Sequence, residues 1–193
     1  MLINGITINV QSQNEKMNVY DFRIILEGYE IGDKNGGPTE LAKILNKSLA
    51  INNGFNKIDL IKRYYHWWKT DAFDTGPTFA MVFKRYAEGS SIEKASKDVD
   101  LQLAGYTAGC GPVHRIAPLA CYKKITTNRL IDIARQEAAI THYNPEAGNC
   151  SAIMVLLCRE LLKGNSWEES KNIVSSIDEL SSTWIKIQNG KIV

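Results

Sequence analysis

The fold is decided by residues 145–162, PEAGNCSAIMVLLCRELL, which are apolar on most sides of a helical projection. A helix without a continuous polar face is stable only when other elements cover it. Gly164 follows shortly afterwards, and a glycine in that place is typical of a helix C-terminus. We therefore expect a central helix over 145–162 that the rest of the chain surrounds.

Narrower apolar stripes precede and follow this segment. From about residue 21 to residue 180, apolar residues recur at helical spacing between short Gly, Pro or Asn joints. Candidate caps mark where helices begin at Asn56, Thr127 and Ser166, the last with Glu169 at capping-box spacing. These features predict an all-α fold, a single compact orthogonal helical bundle, with one domain over residues 1–193.

The two ends of the chain show a different pattern. Residues 6–10, ITINV, and residues 184–187, WIKI, alternate with a period of two. An Asn-Gly pair suited to a tight hairpin turn lies near each of them, at 4–5 and at 189–190. We expect a small β-element formed by the termini; frayed ends with a chance alternation are the alternative.

Composition excludes several classes of protein. The chain has 193 residues, 44% of them apolar, and a net charge of only +2, so it lacks the basic surface of a nucleic-acid binder. Its longest unbroken apolar run, residues 152–158, is far too short to span a membrane, and the N-terminus does not resemble a signal peptide. We expect a soluble cytoplasmic protein with free cysteine thiols, export by a route without a cleaved signal remaining open.

Three glycine-proline pairs, at 37–38, 76–77 and 111–112, each open a helical segment. Proline suits the first position of a helix, and a preceding glycine allows close approach of a ligand. If these helix starts converge, their backbone N–H groups form a site for phosphate oxygens. The alternative is that they are ordinary helix starts in a bundle.

A few side chains near these joints are suited to catalysis. Asp71 and Asp74 lie just before the second joint, where Asp74 is a candidate base for activating water or, alternatively, a helix cap. Cys110 with His114 four residues later suggests a thiol nucleophile, although no third orienting group is identifiable. His142 lies in another joint, whereas His66 belongs to an aromatic helix face.

Three ordered motifs resemble those of the ADP-ribosylglycohydrolase family of helical hydrolases. Residues 68–78, WKTDAFDTGPT, are similar to the family's W-x-x-x-x-F-D-I-G-x-T segment. Residues 109–118, GCGPVHRIAP, resemble G-N-G-x-x-M-R-I-A-P, and residues 141–147, THYNPEA, resemble T-H-x-x-P-E-A. The order and intervals agree as well, so the resemblance covers roughly residues 24–175.

This resemblance implies a hydrolase that releases ADP-ribose from mono-ADP-ribosylated arginine on a partner protein. It implies Asp74 as the catalytic carboxylate, with Asp33 and Asp71 as candidates for a second acid. The substrate-binding residues that we carry over from the motifs are Thr75, Gly76, Thr78, Gly109, Cys110, Gly111, His114, Arg115 and His142.

The resemblance fails at the metal ligands. The family binds two Mg²⁺ or Mn²⁺ ions partly through paired aspartates in T-D-D-T-E-L-A, and these aspartates fall at Gly37 and Pro38 here. The later G-G-D-x-D-T motif has no counterpart, since residues 181–184 read SSTW. We therefore expect an absent or incomplete dimetal centre, with a single ion held by Asp33, Asp71 and Asp74 together as an open alternative.

Three functions are compatible with these observations. The first is an atypical ADP-ribosylarginine hydrolase that works by carboxylate-assisted attack of water. The second is a module that binds ADP-ribose or a modified protein without cleaving it, which the missing aspartates favour. The third is a purely structural helical module.

Overall fold

A computed structural model describes residues 20–34 and 36–191, and these residues form ten α-helices and one 3₁₀ helix without a strand. The all-α prediction is therefore confirmed for the described part of the chain. The helices are α1 (Phe22–Gly32), α2 (Gly37–Asn52), α3 (Lys57–Thr70), α4 (Pro77–Ala87), α5 (Ile92–Gln102), α6 (Gly111–Arg115), the 3₁₀ helix (Ala117–Cys121), α7 (Thr127–Ala138), α8 (Pro145–Leu162), α9 (Trp167–Ser175) and α10 (Asp178–Gln188).

Helix α8 is the centre of the bundle, as residues 145–162 predict. It contacts α6, α7, α9, α10 and the 3₁₀ helix, and its residues Ala152, Val155 and Leu156 are almost wholly buried. Near its C-terminus, Arg159 donates hydrogen bonds to the carbonyl oxygens of Ala120 (2.5 Å) and Tyr122 (2.7 Å). The guanidinium thereby pairs carbonyl groups that the 3₁₀ helix leaves free.

Most predicted helix starts are confirmed by their caps. The Asn56 side chain accepts a hydrogen bond from the backbone N–H of Asp59, and Ser166 forms the capping box with Glu169. The prediction of Thr127 as a cap is wrong by one residue. Thr126 has extended backbone and caps α7, whereas Thr127 is already helical, and the two adjacent threonines are equivalent as sequence signals.

The prediction of a β-element is wrong for its C-terminal half. Residues 184–187 lie within α10, because tertiary contacts with α8 select the helix over the alternating pattern. Thr183 is buried and donates to Glu146 Oε2 at 2.8 Å, and Lys186 forms an ion pair with the same carboxylate. Asn189 caps the helix end instead of opening a hairpin. Residues 6–10 lie outside the described residues.

Four other predictions concern the chain as a whole. All four cysteines are free, as expected. Among the helices of the described residues, none combines the length and the apolar character needed to cross a membrane. The single-domain organisation and the cytoplasmic location remain predictions.

Candidate functional site

The three glycine-proline joints meet at one cavity of about 470 Å³. The first residues of α2, α4 and α6 line it, together with the loop that precedes α6. His142, in the joint before α8, lines it as well. Eleven of the twelve residues singled out in the sequence contribute to its wall: Asp33, Asp74, Thr75, Gly76, Thr78, Gly109, Cys110, Gly111, His114, Arg115 and His142. The chain breaks therefore lie on one side of the helical body.

Asp71 is the exception. It caps the C-terminus of α3, is exposed, and accepts a hydrogen bond from Thr70 Oγ1 at 2.6 Å. Its side chain faces a separate hollow that it shares with His66 and Trp67. The structure thus brings Asp33 and Asp74 together but does not bring Asp71 to them.

The carboxylate side of the cavity, which we define as Asp33 and Asp74 with Gly36 and Gly37, brings two acids close to one point. A methyl group placed on Gly36 would lie 2.8 Å from Asp33 Oδ1 and 3.0 Å from Asp74 Oδ2. The backbone N–H of Gly37 donates to Asp74 Oδ2 at 3.3 Å. Asp74 does not cap α4, since the cap is Gly76 and no side chain bonds there, so its carboxylate faces the cavity.

Gly37 is needed because two backbone segments touch. A Cβ atom at this position would overlap the carbonyl oxygen of Asp74 and lie 3.0 Å from that of Phe73. The positive φ of Asp74 (+49°) belongs to the same close approach, and aspartate tolerates this region better than most residues. The family motif marks Gly37 only as the position of a lost metal ligand. In the sequence, the two adjacent glycines at 36 and 37 are the feature that indicates two backbone segments in close contact.

Asp33 has a structural task as well. Its Oδ2 accepts hydrogen bonds from the backbone N–H of Thr39 (2.9 Å) and from Thr39 Oγ1 (2.6 Å). These bonds pair one of the free N–H groups at the start of α2. Sequence reasoning did not single out Thr39, although a threonine just after the proline of a helix start is a common partner for such a bond.

The opposite wall is the glycine loop, residues 109–111, which lies over the ring of His142. Methyl groups on Gly109 and Gly111 would lie 3.4 Å from His142 Nε2 and 3.2 Å from His142 Cε1. The segment that leads into the loop is bonded to the start of α8, because Asn144 Nδ2 donates to the carbonyl oxygen of Gly105 at 2.8 Å. Small residues here therefore let the backbone lie directly on the imidazole.

Beneath the loop lies a buried chain of polar groups. Arg115 Nε donates to Glu137 Oε1 at 2.6 Å, and both side chains are at most 1% exposed. Tyr64 donates to the same Glu137 oxygen at 2.9 Å. Arg115 Nη2 donates to Thr141 Oγ1 at 3.0 Å, and Thr141 Oγ1 lies 2.8 Å from His142 Nδ1. The sequence motifs do not single out Glu137, so its pairing with Arg115 is visible only in the structure.

Burial and the Arg115 guanidinium lower the pKa of His142 from 6.5 to about 3. The imidazole is therefore neutral throughout the physiological range, and one of its nitrogens carries a proton while the other accepts. His142 is thus a hydrogen-bonding group at the cavity and not a cation.

Cys110 and His114 both line the cavity and are exposed. Among the hydrogen bonds of the described residues, none joins the Cys110 thiol to the His114 ring; the bond between these residues runs from the backbone N–H of His114 to the carbonyl oxygen of Cys110. The geometry gives no support to an imidazole-activated thiol.

The residues present do not fit the family's two-metal centre. Within 20–34 and 36–191 no group of three or more His, Cys, Asp or Glu side chains is placed to hold an ion. Ca²⁺, Mg²⁺ and similar hard cations need about six oxygen ligands, and Asp33 with Asp74 supplies only two carboxylates. The alternative of one ion shared with Asp71 is disfavoured because Asp71 faces another hollow.

A second, mainly apolar cavity of about 550 Å³ adjoins the first. The two share Asp33, Pro38 and His114, and the walls of the second come largely from α1, α6 and α8. The carboxylate side of the candidate site thus adjoins a space large enough for a further part of a ligand.

Comparison with known proteins identifies a family for this chain. The family model for ADP-ribosylglycohydrolase matches residues 16–190, which include every residue of the cavity. No curated protein and no solved structure matches the chain. Because the family model spans nearly all of the sequence, the chain belongs to the ADP-ribosylglycohydrolase family.

Proposed function

We propose that this protein hydrolyses the N-glycosidic bond that joins ADP-ribose to an arginine side chain of a modified protein. Family membership supports glycosidic-bond hydrolysis in general. The observation that carries the finer proposal is the convergence of Asp74, the glycine loop and His142 on one cavity. A carboxylate at one end and backbone donors at the other match a diphosphate sugar whose anomeric carbon reacts.

In this proposal Asp74 acts as the general base that activates water. Its carboxylate also stabilises the cationic charge that develops on the ribose as the bond to nitrogen breaks. Asp33, whose carboxylate faces the same point near Gly36, is the second acid. In this proposal Asp33 donates a proton to the departing guanidine nitrogen, which balances the proton that Asp74 takes from the incoming water.

The opposite wall binds the diphosphate. Backbone N–H groups of residues 109–111, and those of Thr78 and Phe79 in the first turn of α4, present hydrogen-bond donors and partial positive charge to phosphate oxygens. His142 contributes a neutral imidazole. The adjoining apolar cavity is where we place the arginine side chain and the part of the target protein around it.

This mechanism includes no step through a metal, because the residues do not fit the family's centre. General acid and base assistance is typically worth about two to four powers of ten in rate. A carboxylate pair in a shaped cavity is therefore sufficient for measurable turnover.

The test is release of ADP-ribose from an arginine-ADP-ribosylated protein, followed by chromatography, with and without a chelator. We expect release in both conditions, and none from the same protein carrying ADP-ribose through a cysteine thioether. Failure to release ADP-ribose in both conditions overturns the proposal. Release that a chelator abolishes overturns its metal-free form.

The second candidate is a binding module that holds ADP-ribose without cleaving it. The absence of a three-ligand cluster among the described residues is the observation that favours it. Calorimetric titration with ADP-ribose separates the candidates: binding without release supports the module, and no binding leaves only a structural role.

A further inference from the structure

The ring of His142 has two distinguishable sides. Nδ1 faces Thr141 Oγ1 at 2.8 Å in the protein interior. Nε2 faces the glycine loop, and no hydrogen-bond partner for it is present among the described residues. The ring lies in the cavity wall and its Nδ1 is engaged by Thr141, so Nε2 is the nitrogen left for a ligand in the cavity.

The buried network decides which nitrogen carries the proton. Arginine has only donors, so Thr141 Oγ1 must accept the bond from Arg115 Nη2. The Thr141 hydroxyl proton then needs an acceptor of its own, because the residue is wholly buried. Within the described part of the chain its only acceptor is His142 Nδ1. The imidazole proton is thereby left on Nε2.

Charge supports the same assignment. Arg115 Nη2 and His142 Nδ1 both contact Thr141 Oγ1, and a cation near Nδ1 favours a lone pair on that nitrogen over an N–H. Arg115 in turn is fixed by Glu137 and by the rings of Tyr64 and Phe79, whose centroids lie 5.3 and 5.8 Å from its guanidinium carbon. The chain of contacts thus runs from a buried ion pair to the surface of the cavity.

We propose that Thr141 is a positioning residue, whose hydroxyl holds His142 in the tautomer and orientation that present an Nε2–H donor to an oxygen of the ligand in the cavity. Arg115 acts in the same way, through Thr141 and not by contact with the substrate. The nature of the ligand rests on the proposed function, in which the oxygen belongs to the diphosphate. The tautomer itself does not depend on that function.

The first test is made without ligand. Long-range ¹H–¹⁵N NMR of the ring nitrogens, with His142 assigned by the loss of its signals in His142→Gln, should show a protonated Nε2 and an unprotonated Nδ1. In Thr141→Val the ¹⁵N chemical shift of Nδ1 should move towards that of a nitrogen whose lone pair accepts no hydrogen bond. In Thr141→Ser it should return towards the value of the unaltered protein. A protonated Nδ1 in the unaltered protein, or an unchanged Nδ1 resonance in Thr141→Val, overturns the proposal.

The second test uses ADP-ribose as the probe in calorimetry. Thr141→Val should weaken its Kd about tenfold and Thr141→Ser less than threefold, with thermal unfolding confirming that both variants are folded. In a His142→Gln background, Thr141→Val should have no further effect, because Thr141 acts only through the ring. An equal effect in both backgrounds overturns the positioning role.

The two proposals can fail separately. Absence of any ADP-ribose binding by the unaltered protein refutes the proposed function, while NMR of the ring nitrogens still decides the tautomer.

Discussion

The two sides of the cavity are built in opposite ways. On the carboxylate side, Asp74 is exposed to solvent and accepts a long hydrogen bond of 3.3 Å from the backbone N–H of Gly37. On the imidazole side, which consists of His142, Thr141, Arg115 and Glu137, every side chain is at most 6% exposed and bonded to a neighbour.

This difference has energetic consequences. Removing one partner of a buried ion pair costs about 3–5 kcal/mol, whereas exposed contacts contribute about 0–1 kcal/mol. The imidazole side is therefore fixed before a ligand arrives, and the carboxylate side remains in contact with the water that the reaction consumes. Changes to the Asp74 carboxylate should affect chemistry, and changes on the imidazole side should affect stability and affinity.

The largest effect is expected for Asp74→Asn. The substitution removes the base but nearly preserves shape, so release of ADP-ribose should fall by about a thousandfold or more while its Kd stays within about tenfold. Both are measured with arginine-ADP-ribosylated protein and by calorimetry. Asp132→Asn, an exposed position on α7, is the matched control and should leave both unchanged. Unchanged release in Asp74→Asn would assign the chemistry to another acid.

Gly37→Ala tests the backbone contact on the carboxylate side. Its Cβ would overlap the carbonyl oxygen of Asp74, so we expect a loss of about 3 kcal/mol in the free energy of unfolding. Gly28→Ala is the control, since a Cβ there meets nothing within 4 Å, and a helical alanine should be neutral or stabilising by up to about 1 kcal/mol. Denaturant titration measures both, and equal stabilities would contradict the close approach.

The pKa of His142 predicts a pH dependence of stability. The unfolded chain binds a proton at this residue below pH 6.5, whereas the folded protein does so only near pH 3, so acid favours unfolding between these values. From pH 7 to pH 5, the stability advantage of the unaltered protein over His142→Gln should shrink by about 2 kcal/mol. A difference that is constant across this range would show that the ring is not held neutral.

The smallest effect is expected for Asp33→Ala, which separates two tasks of this carboxylate. Loss of its bonds to Thr39 should lower the free energy of unfolding by about 1 kcal/mol, the usual contribution of a cap. Release of ADP-ribose should be slower but still measurable if Asp33 is only the second acid. A loss as complete as in Asp74→Asn would make Asp33 the principal one.

Local signals predicted much of this molecule. The apolar surface of residues 145–162, the cap at Asn56 and the capping box at Ser166 act within one helix, and a sequence displays such interactions directly. A local signal gave the wrong prediction at residues 184–187, where the alternation with a period of two indicated a strand. The segment is helical, and Thr183 and Lys186 bind Glu146 of α8. This contact with another helix is not visible in the pattern.

For the candidate site, residue type and spacing are enough to identify which chain breaks carry glycine, proline, acid and histidine. The packing of the helices settled which of them meet. It brought Asp33 to Asp74, turned Asp71 to another hollow, and buried Arg115 with Glu137 beneath His142. The reason is that distance between side chains, burial and the direction of a hydrogen bond depend on how helices pack, and no single segment specifies that packing.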